Sequence, residues 1–385
     1  MQKMLLTFYL TFAAAGPGLS EIMSRGIGWW TELLDRLLVS ADAPDTLRSL
    51  IIDGVCAGIG SVLSFIPVIG VLFFCLSMLE ETGYLNILSR VMGRLMRPLG
   101  IPGQITIPLI MGFGCSVPAI LATEDIKDER TKKLALALIP FMSCSAKLPL
   151  YGMMTSVFFP DHAGMVTCSL YIIGVLMAMI AAVSFGKLIH YSQVNQVQES
   201  LFSPQFQGFR RPRAQKAFSC MWENICGFFR KAFTVILAAS VIIWVLENYS
   251  KGMVPAENPD ESLLADVGRL AAPFFAPLGF GDWRAASALI TGLSAKEAVV
   301  STLTVLAEGS ILPVMLAQIF TPVSAFSFLV FCLLYAPCAA SMAAMAKASG
   351  SIRHAVFTFV FQTAAAWLAA FITYNTGQIL NNFIY

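Results

Sequence analysis

Charge is what this sequence has least of. Only 12% of its 385 residues are Asp, Glu, Lys or Arg, against roughly a quarter in ordinary soluble domains. Histidine is scarce as well: His162, His190 and His354 stand alone near the ends of apolar runs and are not read as metal ligands. No Gly-x-x-x-x-Gly-Lys-Ser/Thr phosphate loop occurs, and Gly112-Phe113-Gly114-Cys115 lacks the lysine and the preceding strand of a nucleotide site, so GTP and ATP are excluded as ligands of this polypeptide. No serine-histidine-acid or paired-carboxylate arrangement is recognisable, which leaves an enzyme without its machinery. The nine cysteines contain no Cys-x-x-Cys zinc pattern, and seven fall in apolar segments where a disulfide framework has no use. The net charge of +2 is too small to attract nucleic acid.

What is present is hydrophobic length. Apolar side chains make up 57% of the chain, and nearly uncharged runs such as residues 166–183 and 233–246 recur, whereas a buried soluble helix is seldom apolar on every face. The composition predicts an all-α polytopic membrane protein embedded in a lipid bilayer. Candidate spans cover residues 4–15, 50–79 (one bent helix, or two short ones around Pro67), 134–158, 165–185, 233–246, 325–345 and 356–374. The run at 5–15 also has the length of a signal-peptide core, but with only Lys3 ahead of it a short first span fits better. Between it and residue 50 lies an amphipathic stretch carrying Trp29-Trp30, an aromatic pair suited to a membrane interface.

Two segments, 106–122 and 285–306, are polar or interrupted at their middles. The acid-free cluster Arg90, Arg94 and Arg97 and the cluster Arg210, Arg211, Arg213, Lys216, Arg230 and Lys231 both belong on the cytoplasmic side, opposite the acidic loop of Glu257, Asp260, Glu261 and Asp266. If every candidate crossed the bilayer, the two basic loops would fall on opposite sides. One segment must therefore enter and leave by the same face, and 106–122 is the natural re-entrant candidate.

The chain reads as two copies of one unit. Pro98-Leu99-Gly100, the Gly112 segment and the Cys144 helix are echoed by Pro277-Leu278-Gly279, then Thr291-Gly292-Leu293-Ser294-Ala295-Lys296-Glu297, then Tyr335-Ala336-Pro337-Cys338. The first turn follows basic residues and the second an acidic loop, which implies opposite topology, as in inverted-repeat transporters. The expected organisation is 1–49, a short span and interfacial segment; 50–192, a first gate-type repeat; 193–231, a basic cytoplasmic linker; 232–350, a second repeat; and 351–385, a C-terminal transmembrane helix.

Broken backbone is tolerated at membrane depth only where it is buried in protein or lines a cavity, so a broken helix carrying a thiol suggests a permeation site. Cys115 and Cys144 lie in such segments of the first half, and Cys338 in the matching helix of the second. Thiols suit a late first-row divalent ion such as Fe²⁺. A lone cysteine in a helix is a small hydrophobe, but the flanking Gly112, Gly114, Ser143, Ser145 and Pro337 set these three apart from Cys56, Cys75, Cys168 and Cys332. Glu80-Glu81 ends an apolar helix and is either a solvated terminus or an acidic mouth that collects cations. Glu297, beside Lys296 in apolar surroundings, is either a metal-path carboxylate or half of an ion pair bracing the second break. Lys147, so near a metal path, should pair with a carboxylate or reach the interface. Met142, Met153, Met154, Met342 and Met345 offer thioethers, mostly as packing.

These residues resemble the membrane domain of the FeoB ferrous-iron transporters of the bacterial inner membrane. The likeness runs from about residue 50 to the C-terminal region. It is carried by Asp53-Gly54-Val55 through Leu63-Ser64-Phe65-Ile66-Pro67, Leu79-Glu80-Glu81-Thr82-Gly83-Tyr84, Gly112-Phe113-Gly114-Cys115 with Val117-Pro118-Ala119-Ile120, Met142 through Pro149, Ala295-Lys296-Glu297 and Tyr335-Ala336-Pro337-Cys338. The resemblance implies two gate-type repeats around a path for transported Fe²⁺, with no resident cofactor, pore-lining roles for Cys115, Cys144 and Cys338, and Glu80 and Glu81 as further candidates. It also implies partners: a homo-oligomer, a separate GTPase domain and a small accessory protein. Family members usually begin with that GTPase domain, so the chain is expected to be either a fragment or a naturally short homologue, and Lys147 stands where arginine is more familiar. Two other readings stay open: a gate-domain transporter of nucleosides or another small solute, and a non-transporting membrane scaffold.

Overall fold

Proline and glycine interrupt several helices of this chain, because proline has no N–H to give and glycine no side chain to hold. A computed structural model describes residues 15–41, 44–82, 91, 93, 102–188, 214–252, 254–256, 258–307 and 311–384. Most of the first expected span, the Pro98-Leu99-Gly100 turn, the Arg90-Arg94-Arg97 cluster and the linker with Arg210, Arg211 and Arg213 lie outside the described residues. So do the side chains of Glu80 and Glu81.

The helices run in chain order as α1 (Ala15–Ser40), α2 (Ala57–Glu81), α3 (Thr106–Gly112), α4 (Ser116–Leu121), α5 (Glu129–Leu138), α6 (Leu148–Phe158), α7 (Ala163–Leu188) and α8 (Ala214–Asn248). They continue as α9 (Leu263–Phe275), α10 (Trp283–Thr291), α11 (Ala298–Val305), α12 (Leu312–Ile319), α13 (Pro322–Leu334), α14 (Ala339–Ser349) and α15 (Ile352–Ile384). Among the described residues there is no strand, only an isolated bridge between Tyr249 and Pro255. The expected all-α polytopic fold is the one observed.

The chain divides into two compact units that interleave along the sequence: residues 1–139 with 177–237, and residues 140–176 with 238–385. In the first, α1 lies along α2, tied by Ser20 Oγ donating to the Ser64 carbonyl at 2.7 Å and by the Ser24–Ser64 hydroxyl pair at 3.1 Å. Trp29 and Trp30 stay exposed on α1, as an interfacial segment requires. The apolar run beginning at Leu50 starts as a π-helical stretch, Leu50–Cys56, and α2 then carries Pro67 inside one continuous helix instead of dividing into two short ones there. In the second unit α15 runs along α13, with Ser327 Oγ donating to the Ala370 carbonyl at 3.0 Å.

Among the described residues, four segments are long and apolar enough to cross a membrane: Glu129–Phe158, Pro160–Phe185, Pro322–Ser349 and Ile352–Leu380. Burial sorts them into two kinds. The first and third are 72% and 78% buried, whereas the other two are only 28% buried each. The two buried spans are the two whose helices are broken, between α5 and α6 and between α13 and α14. That is the placement an apolar solvent demands, since lipid cannot satisfy the backbone groups a break sets free. A further pair, Leu263–Leu278 and Trp283–Thr291, is bent by 105° at a short break. Gly279 makes that corner at φ +86°, a left-handed conformation that favours glycine. The apolar run expected at 233–246 forms a shorter helix, Leu237–Asn248, within α8.

The close approach of α9 to α10 depends on Gly268. A methyl group there would collide with Ser287 Oγ and come within 2.7 Å of the Trp283 carbonyl, which as backbone cannot step aside. Gly268→Ala is expected to cost about 1–3 kcal/mol through overpacking. Thermal unfolding of the purified protein in detergent checks it: an unchanged midpoint would show that the two helices have slack.

Candidate functional site

Three breaks in helical backbone come together inside the second unit. The first runs from Met142 to Lys147, the second from Gly292 to Glu297 and the third from Tyr335 to Cys338. Each has a local cause. Pro337 cannot donate to the carbonyl four residues back, that of Leu333, so α13 ends there. Gly292 closes α10 because no side chain fits: a Cβ would collide with the Tyr335 hydroxyl and with Val299 Cγ2. The serines and glycines in these stretches contribute little helix propensity.

Hydrogen bonds stitch the breaks to one another. The N–H of Ala339, first residue of α14, donates to the Leu293 carbonyl at 2.8 Å. Tyr335 Oη donates to the Leu289 carbonyl at 3.4 Å, and its ring stacks on Phe331. Lys296 Nζ donates to the Ala336 carbonyl at 2.6 Å and sits 3.2 Å above the centre of the Tyr335 ring. Lys147 Nζ donates to the Leu333 carbonyl at 2.6 Å, so it fills the vacancy that Pro337 leaves. Lys147 therefore pairs with backbone, and neither with a carboxylate nor at an interface as its sequence context suggests. The same holds for Lys296, which directs its ammonium at a carbonyl instead of at Glu297.

The cysteines occupy equivalent places on the backbone. Cys144, with φ −77° and ψ 158°, and Cys338, with φ −63° and ψ 160°, each hold the last extended position before a helical turn begins. Cys115, in the other unit, does the same before α4 with φ −151° and ψ 132°. All three thiols are half-buried, and Cys338 Sγ lies 3.3 Å from Ser341 Oγ. Cys144 is close enough to Cys338, Lys147, Lys296 and Glu297 to feel their charges. The second unit thus gathers Cys144, Cys338, Glu297, Lys147, Lys296 and Pro337, together with Ser143, whose hydroxyl meets that of Tyr151 at 3.0 Å, and Ser145. Gly112 and Gly114 are buried beside Cys115 in the first unit. Glu80 and Glu81 end α2 there.

Two members escaped sequence reasoning. Cys332 is fully buried within charge range of both lysines, and Tyr335 carries the ammonium contact and the fit to Gly292. Cys332 lay inside a featureless apolar run, and its only sequence signal is a spacing of six from Cys338. Among the described residues no three His, Cys, Asp or Glu side chains stand close enough together to hold a metal ion. What the cluster offers chemically is three soft, polarizable sulfurs and one carboxylate beside two ammonium groups.

The family described as "Gate: Nucleoside recognition" matches residues 62–158 and 229–352. The Fe(2+) transporter FeoB of Staphylococcus aureus is 35% identical over 380 residues, covering 98% of this chain and 56% of that protein. The Fe(2+) transporter FeoB of Methanocaldococcus jannaschii is 34% identical over 385 residues, covering 97% of this chain and 56% of its own length. A protein of Porphyromonas gingivalis, named Fe(2+) transport protein A/Fe(2+) transporter FeoB fusion protein, is 31% identical over 432 residues, with 97% and 49% covered. The chain spans about half the length of the curated relatives it matches. No solved structure matches it.

The fit between the second and third breaks is open to test. Gly292→Ala should lower stability by about 1–3 kcal/mol, and Tyr335→Phe, which removes the hydroxyl a methyl would strike, should recover part of that loss in the double variant. Strictly additive unfolding midpoints would mean that the two residues do not touch.

Proposed function

This chain belongs to the gate family and is similar over nearly its whole length to FeoB Fe(2+) transporters, and on that premise we propose that it carries Fe²⁺ across the bacterial cell membrane. The observation that supports this most is the pair of half-buried thiols, Cys144 and Cys338, at corresponding helix breaks inside the two most buried spans. Ferrous iron accepts sulfur as readily as oxygen, whereas alkali and alkaline-earth ions prefer oxygen alone. In this reading the ion passes Cys144 and Cys338, which precede broken-segment helices of one unit, and Cys115, which precedes α4 of the other unit, is a candidate ligand of the same kind. Glu297 supplies a compensating negative charge beside Lys296. Glu80 and Glu81 serve as an acidic collecting mouth.

Transit requires weak holding. An ion bound by three or four fixed ligands leaves slowly, whereas one bound by two sulfurs at a time can be handed on. The absence of a closed ligand group among the described residues is compatible with such passage. In this reading a separate GTPase domain, as the family resemblance implies, supplies a nucleotide switch, and the fused relative's name supports a small accessory protein of the transport protein A kind. The family description favours one alternative cargo, a nucleoside, which would be recognised by aromatic and amide groups more than by thiols.

The test is Fe²⁺ flux into proteoliposomes. Cys144→Ser, Cys338→Ser and Cys115→Ser should each lower the rate by at least roughly tenfold, the scale on which lost ligation acts, while leaving the unfolding midpoint near that of the parent. Parent-like Fe²⁺ flux in all three, or saturable nucleoside uptake by the parent, would overturn the thiol path.

A further inference from the structure

Two buried lysines are hard to explain as packing. Lys147 is 3% exposed and Lys296 5% exposed, and charged groups so placed are costly and tend to mark function. They come from corresponding breaks of the two halves, yet they converge on one short stretch of backbone. Lys147 Nζ lies 2.6 Å from the Leu333 carbonyl and Lys296 Nζ 2.6 Å from the Ala336 carbonyl, one on each side of the Leu334-Tyr335 link. Neither carbonyl is served by a regular helix bond. The donor four residues after Leu333 would be Pro337, which has none, and Ala336 stands in the gap between α13 and α14.

Carbonyls bared at the C-terminal end of a broken membrane helix carry the negative pole of the helix and are a ready oxygen cage for a bare cation. Oxygen ligands of this kind take Na⁺ and K⁺ by replacing their hydration shell. A path meant for a sulfur-seeking divalent ion therefore has a weakness built into the break. We propose that Lys147 and Lys296 are specificity-determining residues: tethered cations that occupy the Leu333 and Ala336 carbonyls and so deny them to alkali ions, leaving the neighbouring thiols as the ligands on offer. The Tyr335 ring, 3.2 Å beneath Lys296 Nζ, helps to hold one of them in place. The inference rests on the reading of this chain as a cation transporter, but its binding arm does not depend on iron.

The experiment compares the parent with Lys147→Met, Lys296→Met and their double variant, and with Lys147→Arg and Lys296→Arg. Thermal unfolding is followed in KCl, in NaCl and in choline chloride of equal ionic strength, and alkali-ion flux is measured in proteoliposomes. The parent and the arginine variants should unfold alike in all three salts and stay tight. The methionine variants should unfold about 3 °C higher in KCl or NaCl than in choline, the shift expected of a newly opened ion site, and should leak alkali ions about tenfold faster. Folding only when an alkali salt is present would support the proposal equally. Methionine variants that fold, ignore the identity of the salt and stay impermeable would overturn it. If they fold in no salt, Lys147→Gln and Lys296→Gln, uncharged and one atom shorter, are read in the same assays. An alkali-specific shift then supports the proposal, and its absence overturns it. Failure of the parent to move Fe²⁺ would remove the transport reading while leaving the alkali-ion result to stand or fall alone.

Discussion

A backbone carbonyl left without a partner in an apolar medium costs several kcal/mol, and every break in a membrane helix creates such carbonyls. Pro337 makes one at Leu333 by having no N–H to offer. The protein answers with a side chain from far along the sequence, Lys147, and repeats the device three residues on with Lys296 at Ala336. Much of the second unit's interior is arranged around this repair. The close fit of Gly292 to Tyr335, the bond from Ala339 to Leu293 and the stacking of Tyr335 on Phe331 all serve to bring the lysine-bearing segments within reach of the bared carbonyls.

The same constraint explains why the broken spans are the buried ones. A continuous helix such as α15 satisfies its backbone internally and can face lipid along most of its length, whereas α13–α14 cannot. Within the second unit, three breaks, three thiols and two lysines are thereby concentrated in one interior. The proposed Fe²⁺ passage draws on that concentration, because a cation needs polar ligands at depth and backbone that has left the helix can present them. Cysteine stands at the last extended position before each new helix, where the chain is already irregular.

A good part of this was legible in the amino-acid sequence. The four long spans follow from apolar length, and the interruptions at 113–115, 143–147, 292–297 and 335–338 follow from glycine, serine and proline. What misled was the assumption that a buried lysine needs an acid. Lys147 and Lys296 have carboxylates or polar residues near them in sequence, yet their partners are carbonyls 186 and 40 residues away. Pro67 left two outcomes open in the sequence, one helix or two short ones, and α2 is the single continuous helix.

By itself the sequence determined that this is a multi-pass membrane protein, where its four longest apolar segments lie and where its helices are interrupted. Hydrophobic length and the backbone chemistry of proline and glycine are local properties, written within a few residues of where they act. Only the tertiary structure decided which interruptions meet, that Cys332 and Tyr335 belong with them, and that two ammonium groups sit on Leu333 and Ala336. Those contacts satisfy groups distant along the chain, and the demand that creates them, an orphaned carbonyl in a medium with no water, has no fixed sequence spacing at which its answer must appear.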